Sequence, residues 1–186
     1  MKIGILPVDQ VPREVILELA QALPKIFPDS TCSVIEETLS VPPEAYVKER
    51  KQCNSSLILR EIWAFQLTSH SFDRVLGVIN KDVFAAGLNF IFGEAYSPGA
   101  AALISLRRLK PSFYGKTDDP KVFADRVLKE AVHELGHTLG LQHCRRTACV
   151  MRFSNSILDT DKKESLFCQQ HYLQASQAIE HLREKR

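Results

Sequence analysis

The residues best suited to carry chemistry lie between His133 and His143, where the chain reads H-E-x-x-H-x-x-G-x-x-H. His133 and His137 are four residues apart, so on a helix both imidazoles leave the same face, one turn apart. Their ring nitrogens, at about 2.0–2.1 Å, can hold one zinc ion. Gly140 permits a left-handed turn that brings His143 in as the third ligand, and the fourth position is left for water, as in a catalytic zinc. We name His133, His137 and His143 the three-histidine site.

Glu134 follows the first of these histidines and points about 100° further around the predicted helix. From there it can reach a zinc-bound water without occupying a coordination position, act as general base, and pass the proton to a leaving amine. A lone histidine is more often an ordinary polar residue, and a bare H-E-x-x-H occurs by chance now and then. The full pattern is far rarer, and it predicts a metal site used for hydrolysis.

A second group of potential ligands follows directly. Cys144 and Cys149 have C-x₄-C spacing, and Cys168 and His171 have C-x₂-H spacing on the predicted last helix. Two such pairs separated by a loop are typical of a closed, structural zinc site, which would tie the loop carrying Met151 to that helix. The alternative is a disulfide between Cys144 and Cys149, with Cys168 as a buried thiol. We name the four ligand residues the Cys₃His site, within a structural zinc element at about 144–171.

Two family resemblances rest on these motifs. The histidine pattern followed by Met151 resembles the metzincin zinc peptidases, and its continuation into C-x₄-C-x-M resembles the archaemetzincin family, although His171 replaces that family's last cysteine. The resemblance implies a compact metzincin-like α/β domain, two zinc ions per chain (one catalytic, one structural), and a Met-turn at Met151 beneath the catalytic metal. It also implies metallopeptidase activity, in some members aminopeptidase-like and in others weak.

These observations lead to two hypotheses of function. The first is zinc-dependent hydrolysis of peptide bonds, with Glu134 as general base and peptides as substrates, and aminopeptidase action is one form that it could take. The second is a zinc-binding module of the same fold with little or no proteolytic activity. Retention of Glu134 favours the first, because a purely structural zinc does not require it.

The elements that must position these residues follow from apolar periodicity and turn signals. Strands are predicted at about 3–8, 31–37, 75–79, 90–96 and 101–106, and helices at about 12–24, from 54 or 55 onwards, at 118–139 and at 162–183. The last two strands flank Ser97-Pro98-Gly99, a turn signal that indicates either a hairpin or an edge strand beside an inner strand. The prediction is an α/β fold: a small mixed twisted sheet with an antiparallel edge strand, in one domain spanning residues 1–186.

The composition is that of an ordinary globular domain. Among 186 residues, 24 basic and 22 acidic side chains give a net charge of +2, which provides no reason to expect a nucleic-acid partner. No apolar run approaches the roughly 18–20 residues that span a bilayer, and no secretory signal pattern is visible. Five cysteines cannot form a fully paired disulfide framework, and the lack of a signal pattern predicts a reducing compartment. We therefore predict a cytoplasmic monomer without a membrane partner.

Overall fold

A computed structural model describes residues 1–69 and 71–184 of the chain. Its strands are β1 (Lys2–Val8), β2 (Thr31–Val34), β3 (Tyr46–Val47), β4 (Gln52–Asn54), β5 (Arg74–Ile79), β6 (Val83–Phe84), β7 (Gly93–Ala95) and β8 (Ala101–Ser105). Its α-helices are α1 (Arg13–Ala22), α2 (Ser55–Ser69), α3 (Pro120–Thr138), α4 (Ile157–Lys162) and α5 (Gln169–Glu184). Short 3₁₀ turns lie at Leu23–Lys25, Pro43–Ala45 and Pro111–Tyr114.

The main sheet has five strands in the order β2-β1-β5-β8-β7. All neighbours are parallel except β7, which pairs antiparallel to β8 at the edge. The predicted mixed sheet with an antiparallel edge strand is therefore confirmed. The second and fourth predicted strands are shorter than expected, because β2 ends at Val34 and β7 begins only at Gly93.

The central strands bury side chains on both faces of the sheet. Ile5 of β1 belongs to the apolar cluster that contains buried side chains of α1, α3 and α5, whereas its neighbour Leu6 belongs to the cluster formed with α2. In β5, Leu76 belongs to the first of these clusters and Val75 to the second. Because neither face of these strands meets water, their sequences are continuous apolar runs rather than alternating ones.

A second, three-stranded sheet in the order β3-β4-β6 was not predicted. Its strands have only two or three residues, too few to display any period. Arg50 and Gln52 extend from this region, and both donate hydrogen bonds to the carbonyl oxygen of Asn89, at 2.8 and 3.0 Å. The small sheet therefore holds the loop that precedes β7.

Helix α3 carries the central motif, and its two ends follow the predicted signals. The Asp119 carboxylate accepts hydrogen bonds from the backbone N–H groups of Lys121 and Val122, at 2.9 and 3.1 Å, and caps the first turn. The helix ends at Thr138, and Gly140 has φ 85°, a left-handed conformation that glycine adopts without steric cost. The chain is thereby turned back towards the helix at its next residues.

The predicted last helix at 162–183 is wrong in its first third. Helix α4 begins at a capping box on Ser156 and ends at Lys162, since Lys163 is extended with φ −80° and ψ 158°. Helix α5 begins only at Gln169, with the Cys168 carbonyl accepting a bond from the Tyr172 N–H at 2.9 Å. Residues between the two helices form backbone hydrogen bonds with the preceding loop instead: the Glu164 N–H donates to the Ala148 carbonyl, and the Leu166 carbonyl accepts from the Val150 N–H, both at 2.9 Å.

No helix among the described residues combines the length and the apolar character that a membrane span needs.

Candidate active site

The structure brings the three histidines of the three-histidine site together. His133 and His137 lie one turn apart on α3, with their Nε2 atoms 3.1 Å from each other, and His143 Nε2 lies 3.2 Å from His137 Nε2. A tetrahedron with Zn–N bonds of about 2.0–2.1 Å has nitrogens about 3.3 Å apart. The spacing of the three nitrogens therefore matches one shared zinc ion.

In the imidazole rings of His133 and His137, backbone carbonyl groups determine which of the two nitrogens carries the proton. His133 Nδ1 lies 2.8 Å from the carbonyl oxygen of Val150, and His137 Nδ1 lies 2.8 Å from that of Leu141. Because a carbonyl oxygen can only accept, each Nδ1 must donate, and each Nε2 is left with a free lone pair. Two lone pairs facing each other at 3.1 Å repel unless a cation lies between them, so the residues present fit a zinc ion.

Burial keeps these imidazoles neutral. It lowers the pKa of His133 well below the usual range, and it lowers the pKa values of His137 and His143 as well. Neutral imidazole is the form that binds zinc, whereas a protonated ring cannot act as a ligand. At neutral pH the three imidazoles are therefore in the neutral form that can bind a metal ion.

The carboxylate of Glu134 lies in the wall of the same cleft and is only 5% exposed. Burial raises its pKa well above the usual range for a glutamate, and the nearby charge of Glu130 acts in the same direction. This carboxylate therefore binds a proton more readily than the carboxylate of an exposed glutamate does. The position and the chemistry of Glu134 both suit a general base.

Gly93, the first residue of β7, allows this placement of Glu134. A Cβ at position 93 would lie 2.5 Å from Cγ and 2.7 Å from Oε1 of Glu134, closer than real contacts permit. We therefore expect Gly93→Ala to displace the Glu134 carboxylate and to lower kcat by about 10²-fold, because catalytic groups tolerate little misplacement. Steady-state kinetics on the zinc-loaded variant would check this, and an unchanged kcat together with an unchanged melting temperature would contradict it.

Met151 packs directly beneath the helical turn that carries the histidines. It is fully buried, and its sulfur approaches Gly136, the residue before His137, so closely that a Cβ there would lie 2.5 Å from Sδ. The backbone N–H of Cys144 donates to the Met151 carbonyl at 2.9 Å. Met151 therefore lies between α3 and the chain that returns from it, and its role as a Met-turn stays a prediction.

The close contact between Gly136 and Met151 leaves little space for a larger residue at position 136. In an ordinary helix Gly→Ala stabilises by about 0.5–1 kcal/mol, but Gly136→Ala should reduce the free energy of unfolding by about 1–3 kcal/mol, since Met151 and Phe167 leave no room. Denaturant unfolding of the metal-free variant against wild type measures the difference without a contribution from zinc. Stabilisation of the variant would show that Met151 moves aside freely.

The Cys₃His site is also brought together, although not on one helical face. Its four ligand atoms lie within 4.8 Å of one another. The Sγ atoms of Cys144 and Cys168 are 4.0 Å apart, and His171 Nδ1 lies 3.2 Å from Cys168 Sγ and 3.9 Å from Cys149 Sγ. Tetrahedral Zn–S bonds of about 2.3 Å place sulfurs about 3.8 Å apart, so this donor set also fits zinc.

The alternative of a disulfide is not realised, because all five cysteines are free thiols. His171 Nε2 lies 3.1 Å from the carbonyl oxygen of Gln142, to which it can only donate, and this leaves Nδ1 facing the thiols as a potential ligand. His171 thus provides the fourth potential ligand atom of the cluster. The two remaining thiols, Cys32 and Cys53, lie outside both metal-type clusters.

The cleft around the three-histidine site has one wall formed by β7 and the loop before it. Arg50 holds this loop through the carbonyls of Leu88 and Asn89, and Glu94 of β7 accepts hydrogen bonds from the Ser56 hydroxyl at 2.9 and 3.2 Å. The sequence gives no indication that Arg50 lies at this cleft, since a single arginine in a polar segment carries no signal of its partners.

A buried ion pair, also missed from the sequence, lines the cleft. The fully buried Lys163 ammonium lies 3.0 Å from a carboxylate oxygen of Glu130, and the Thr160 hydroxyl donates to the same oxygen at 3.3 Å. Glu130 lies one turn before Glu134 on α3, at the i−4 spacing that could have marked it as a neighbour. Nothing in the sequence identifies Lys163 as its partner.

The similarity of this chain to known proteins extends well beyond the two ligand motifs. A sequence model of peptidase family M54 matches residues 44–175 of this chain. The archaemetzincin of Methanocaldococcus jannaschii is 44% identical over 168 residues, covering 90% of this chain and 89% of the relative. The similarity therefore includes the sheet and α2 as well as the two metal-type clusters.

Two solved structures resemble the fold described above. The archaemetzincin of Methanopyrus kandleri superposes with a TM-score of 0.84 at 32% identity, covering 97% of this chain and 96% of that one. The archaemetzincin of Archaeoglobus fulgidus, solved in complex with malonate, gives a TM-score of 0.80 at 41% identity, with 94% and 99% of the two chains covered. Both structures span nearly the whole chain.

Proposed function

This chain belongs to peptidase family M54, the archaemetzincin zinc metallopeptidases, and on that basis we propose that Glu134 is its general base. The observation that carries the proposal is the placement of a buried carboxylate beside three converging imidazole nitrogens in one cleft. Glu134 adjoins the ligand set without belonging to it. The proposed reaction is hydrolysis of peptide bonds at the three-histidine site.

Zinc bound by the three histidines would supply a Lewis acid that polarises a carbonyl group and lowers the pKa of water. The protein's own part is proton transfer and positioning. Glu134 accepts a proton from the attacking water and delivers it to the leaving amine, which its raised pKa favours. The carbonyls of Val150 and Leu141 hold the rings of His133 and His137 in the orientation that presents Nε2.

Peptides are the substrates that the family implies, and the cleft offers a feature that bears on which end is cleaved. Glu94 lies at the edge strand, where its carboxylate is held by Ser56 and faces the same cleft as Glu134. A carboxylate there can pair with the free amino group of a substrate. This supports an aminopeptidase within the broader proposal of peptide hydrolysis.

We propose a structural role for the second zinc. The Cys₃His site supplies four protein ligands and so leaves no position for water or substrate, which is the arrangement of a structural zinc. It would join the segment after α3 to the start of α5, within one domain built around the five-stranded sheet. The expected stoichiometry is two zinc ions per chain. The expected monomeric state, cytoplasmic location and lack of a nucleic-acid partner stay predictions.

A panel of fluorogenic peptides with free and acetylated amino termini tests the proposal. We expect zinc-loaded wild type to cleave peptides that zinc-loaded Glu134→Ala leaves intact, and a chelator to stop the cleavage. Restriction of cleavage to free amino termini would identify an aminopeptidase. Equal cleavage by both proteins would rule out Glu134 as the base, and no cleavage by a zinc-loaded wild type would favour the binding module.

A further inference from the structure

A groove with a volume of about 480 Å³ lies between helices α1 and α3. Most of its lining is apolar: besides two prolines, it consists of Val15, Leu19 and Ala22 of α1 and of Phe123, Ala124, Val127 and Leu128 of α3. Of these residues, Phe123, Ala124 and Leu128 are only partly buried. Apolar side chains that stay partly exposed along a groove offer a surface that a partner can cover.

The shape of this groove suits a helix. Its wall on α1 extends from Glu14 to Ala22, and its wall on α3 extends from Pro120 to Leu128. At a helical rise of about 1.5 Å per residue, each wall is about 12 Å long. A groove bounded over two turns by two helices fits the apolar face of a third helix, whose anchoring side chains recur at i, i+3 or i+4, and i+7.

The other residues that line the groove are almost all acidic. They supply five exposed carboxylates and one ammonium group: Glu14, Glu18, Asp118, Asp119 and Asp125, and Lys110. This excess of negative charge is local, since the chain as a whole has a net charge of +2. Such a rim attracts a basic partner and repels an acidic one.

Two of these carboxylates have no hydrogen-bond or ion-pair partner among the described residues. They belong to Glu14 and Glu18, which lie one turn apart on α1, where like charges repel each other. Asp119, by contrast, caps α3, and Asp125 pairs with Lys129 at 2.6 Å. Glu14 and Glu18 are therefore available to cations of a partner.

The charge of the rim also distinguishes between occupants. A two-fold dimer through this groove would place five carboxylates of one copy against five of the other, and an anionic membrane surface would be repelled in the same way. A small apolar molecule would cover the apolar lining but leave the carboxylates unpaired. A helix with one apolar and one basic face complements both parts of the groove.

We propose that the groove between α1 and α3 is a docking site for a basic amphipathic helix of a partner protein. Apolar side chains of that helix enter the groove, and its lysine or arginine side chains pair with the carboxylates of the rim. The site is separate from peptide hydrolysis, because the groove and the cleft at the three-histidine site share no lining residue. Phe123 precedes His133 by ten residues, or about 15 Å along α3.

A pair of labelled peptides tests the proposal. Both have about 18 residues, long enough to form a helix, with leucines at the spacing of one helical face and with either lysines or glutamates at the flanking positions. Fluorescence anisotropy with the zinc-loaded Glu134→Gln protein, which avoids cleavage, measures their binding. We expect a Kd at least tenfold lower for the lysine peptide at about 0.05 M salt, and a smaller difference at about 0.5 M.

Charge variants locate the binding to the rim. The double variant Glu14→Gln and Glu18→Gln should raise the Kd of the lysine peptide about fivefold. The matched control is the double variant Glu49→Gln and Glu61→Gln, which removes the same charge from the turn before β4 and from α2, outside the groove. It should keep the Kd of the parent protein.

A variant of the apolar lining locates the binding to the groove itself. Ala124→Gln places a longer, polar side chain in the groove without a large loss of helix propensity, and it should raise the Kd of the lysine peptide at least tenfold. Ala64→Gln makes the same change at an exposed position of α2 and should leave the Kd unchanged. If Ala124→Gln does not fold, the two peptides and the charge variants decide the outcome.

Several results would overturn the proposal. Equal affinity for the two peptides would show that the rim does not select a basic partner, and a Kd unchanged by both groove variants would place the binding elsewhere. A dimer that Ala124→Gln dissociates would assign the groove to a second copy of the chain. Binding of phosphatidylserine vesicles that is lost in Ala124→Gln would assign it to a membrane surface.

Discussion

Glu134→Gln is expected to lower kcat for peptide hydrolysis by about 10²–10⁴-fold while the protein keeps its full zinc content. The amide matches the carboxylate in size, so the packing against Gly93 is preserved, but it cannot accept the proton of the attacking water. Because burial opposes the charged form of Glu134, removal of its charge should not lower the free energy of unfolding. Kinetics, metal analysis and thermal unfolding of the same preparation provide the three readouts.

The matched control for this variant is Glu61→Gln, because Glu61 lies on the solvent-facing side of α2, where its carboxylate pairs with Arg60. It should retain wild-type kcat and zinc content. Loss of zinc from Glu134→Gln would mean that the carboxylate contributes to metal binding rather than to proton transfer. A kcat within threefold of wild type would remove Glu134 from the mechanism.

Cys149→Ser is expected to remove one zinc ion per chain and to lower the melting temperature by about 10 °C or more. Cys149 is 2% exposed, and its sulfur accepts a hydrogen bond from the Cys168 N–H at 3.3 Å within the Cys₃His site. Structural zinc sites contribute about 10–16 kcal/mol of apparent binding free energy in small peptides, and about 1 kcal/mol shifts the melting temperature of a chain this size by about 2–4 °C.

Cys53→Ser is the matched control, since Cys53 is also buried, at 0% exposed, but belongs to the apolar cluster with α2. Both variants bury one hydroxyl in place of one thiol, and only Cys149→Ser removes a proposed ligand. We expect Cys53→Ser to keep two zinc ions with a smaller loss of stability. Equal zinc content and equal melting temperatures in the two variants would show that no structural zinc is bound.

The sequence predicts the three-histidine site because its geometry is local. His133 and His137 are one helical turn apart, and Gly140 ends the helix within three residues, so the approach of His143 depends on few degrees of freedom. The central strands could also be predicted from the sequence, since burial on both faces of the sheet produces continuous apolar runs such as 75–79. The family assignment rests on the same motifs and is confirmed by relatives that cover most of the chain.

Interactions between segments distant in sequence could not be predicted in this way. Lys163, in the break between α4 and α5, pairs with Glu130, 33 residues earlier, and no periodicity in the sequence indicates such a pairing. Arg50 holds the loop at Asn89 by a contact of the same kind. The ligand pairs of the Cys₃His site were identified by spacing, but Cys168 precedes α5 instead of lying on it.

The backbone carbonyls around the two clusters have a consequence for metal loading. Along the segments 141–144 and 149–151, groups that serve one site alternate with groups that serve the other: the Leu141 carbonyl, the Gln142 carbonyl, His143, Cys144, Cys149 and the Val150 carbonyl. A metal that orders either segment orders part of the neighbouring site as well. On the proposed assignment, each zinc ion is then a heterotropic effector of the other. By thermodynamic reciprocity, removal of the zinc at the Cys₃His site should weaken zinc binding at the three-histidine site by the same factor as the reverse removal does.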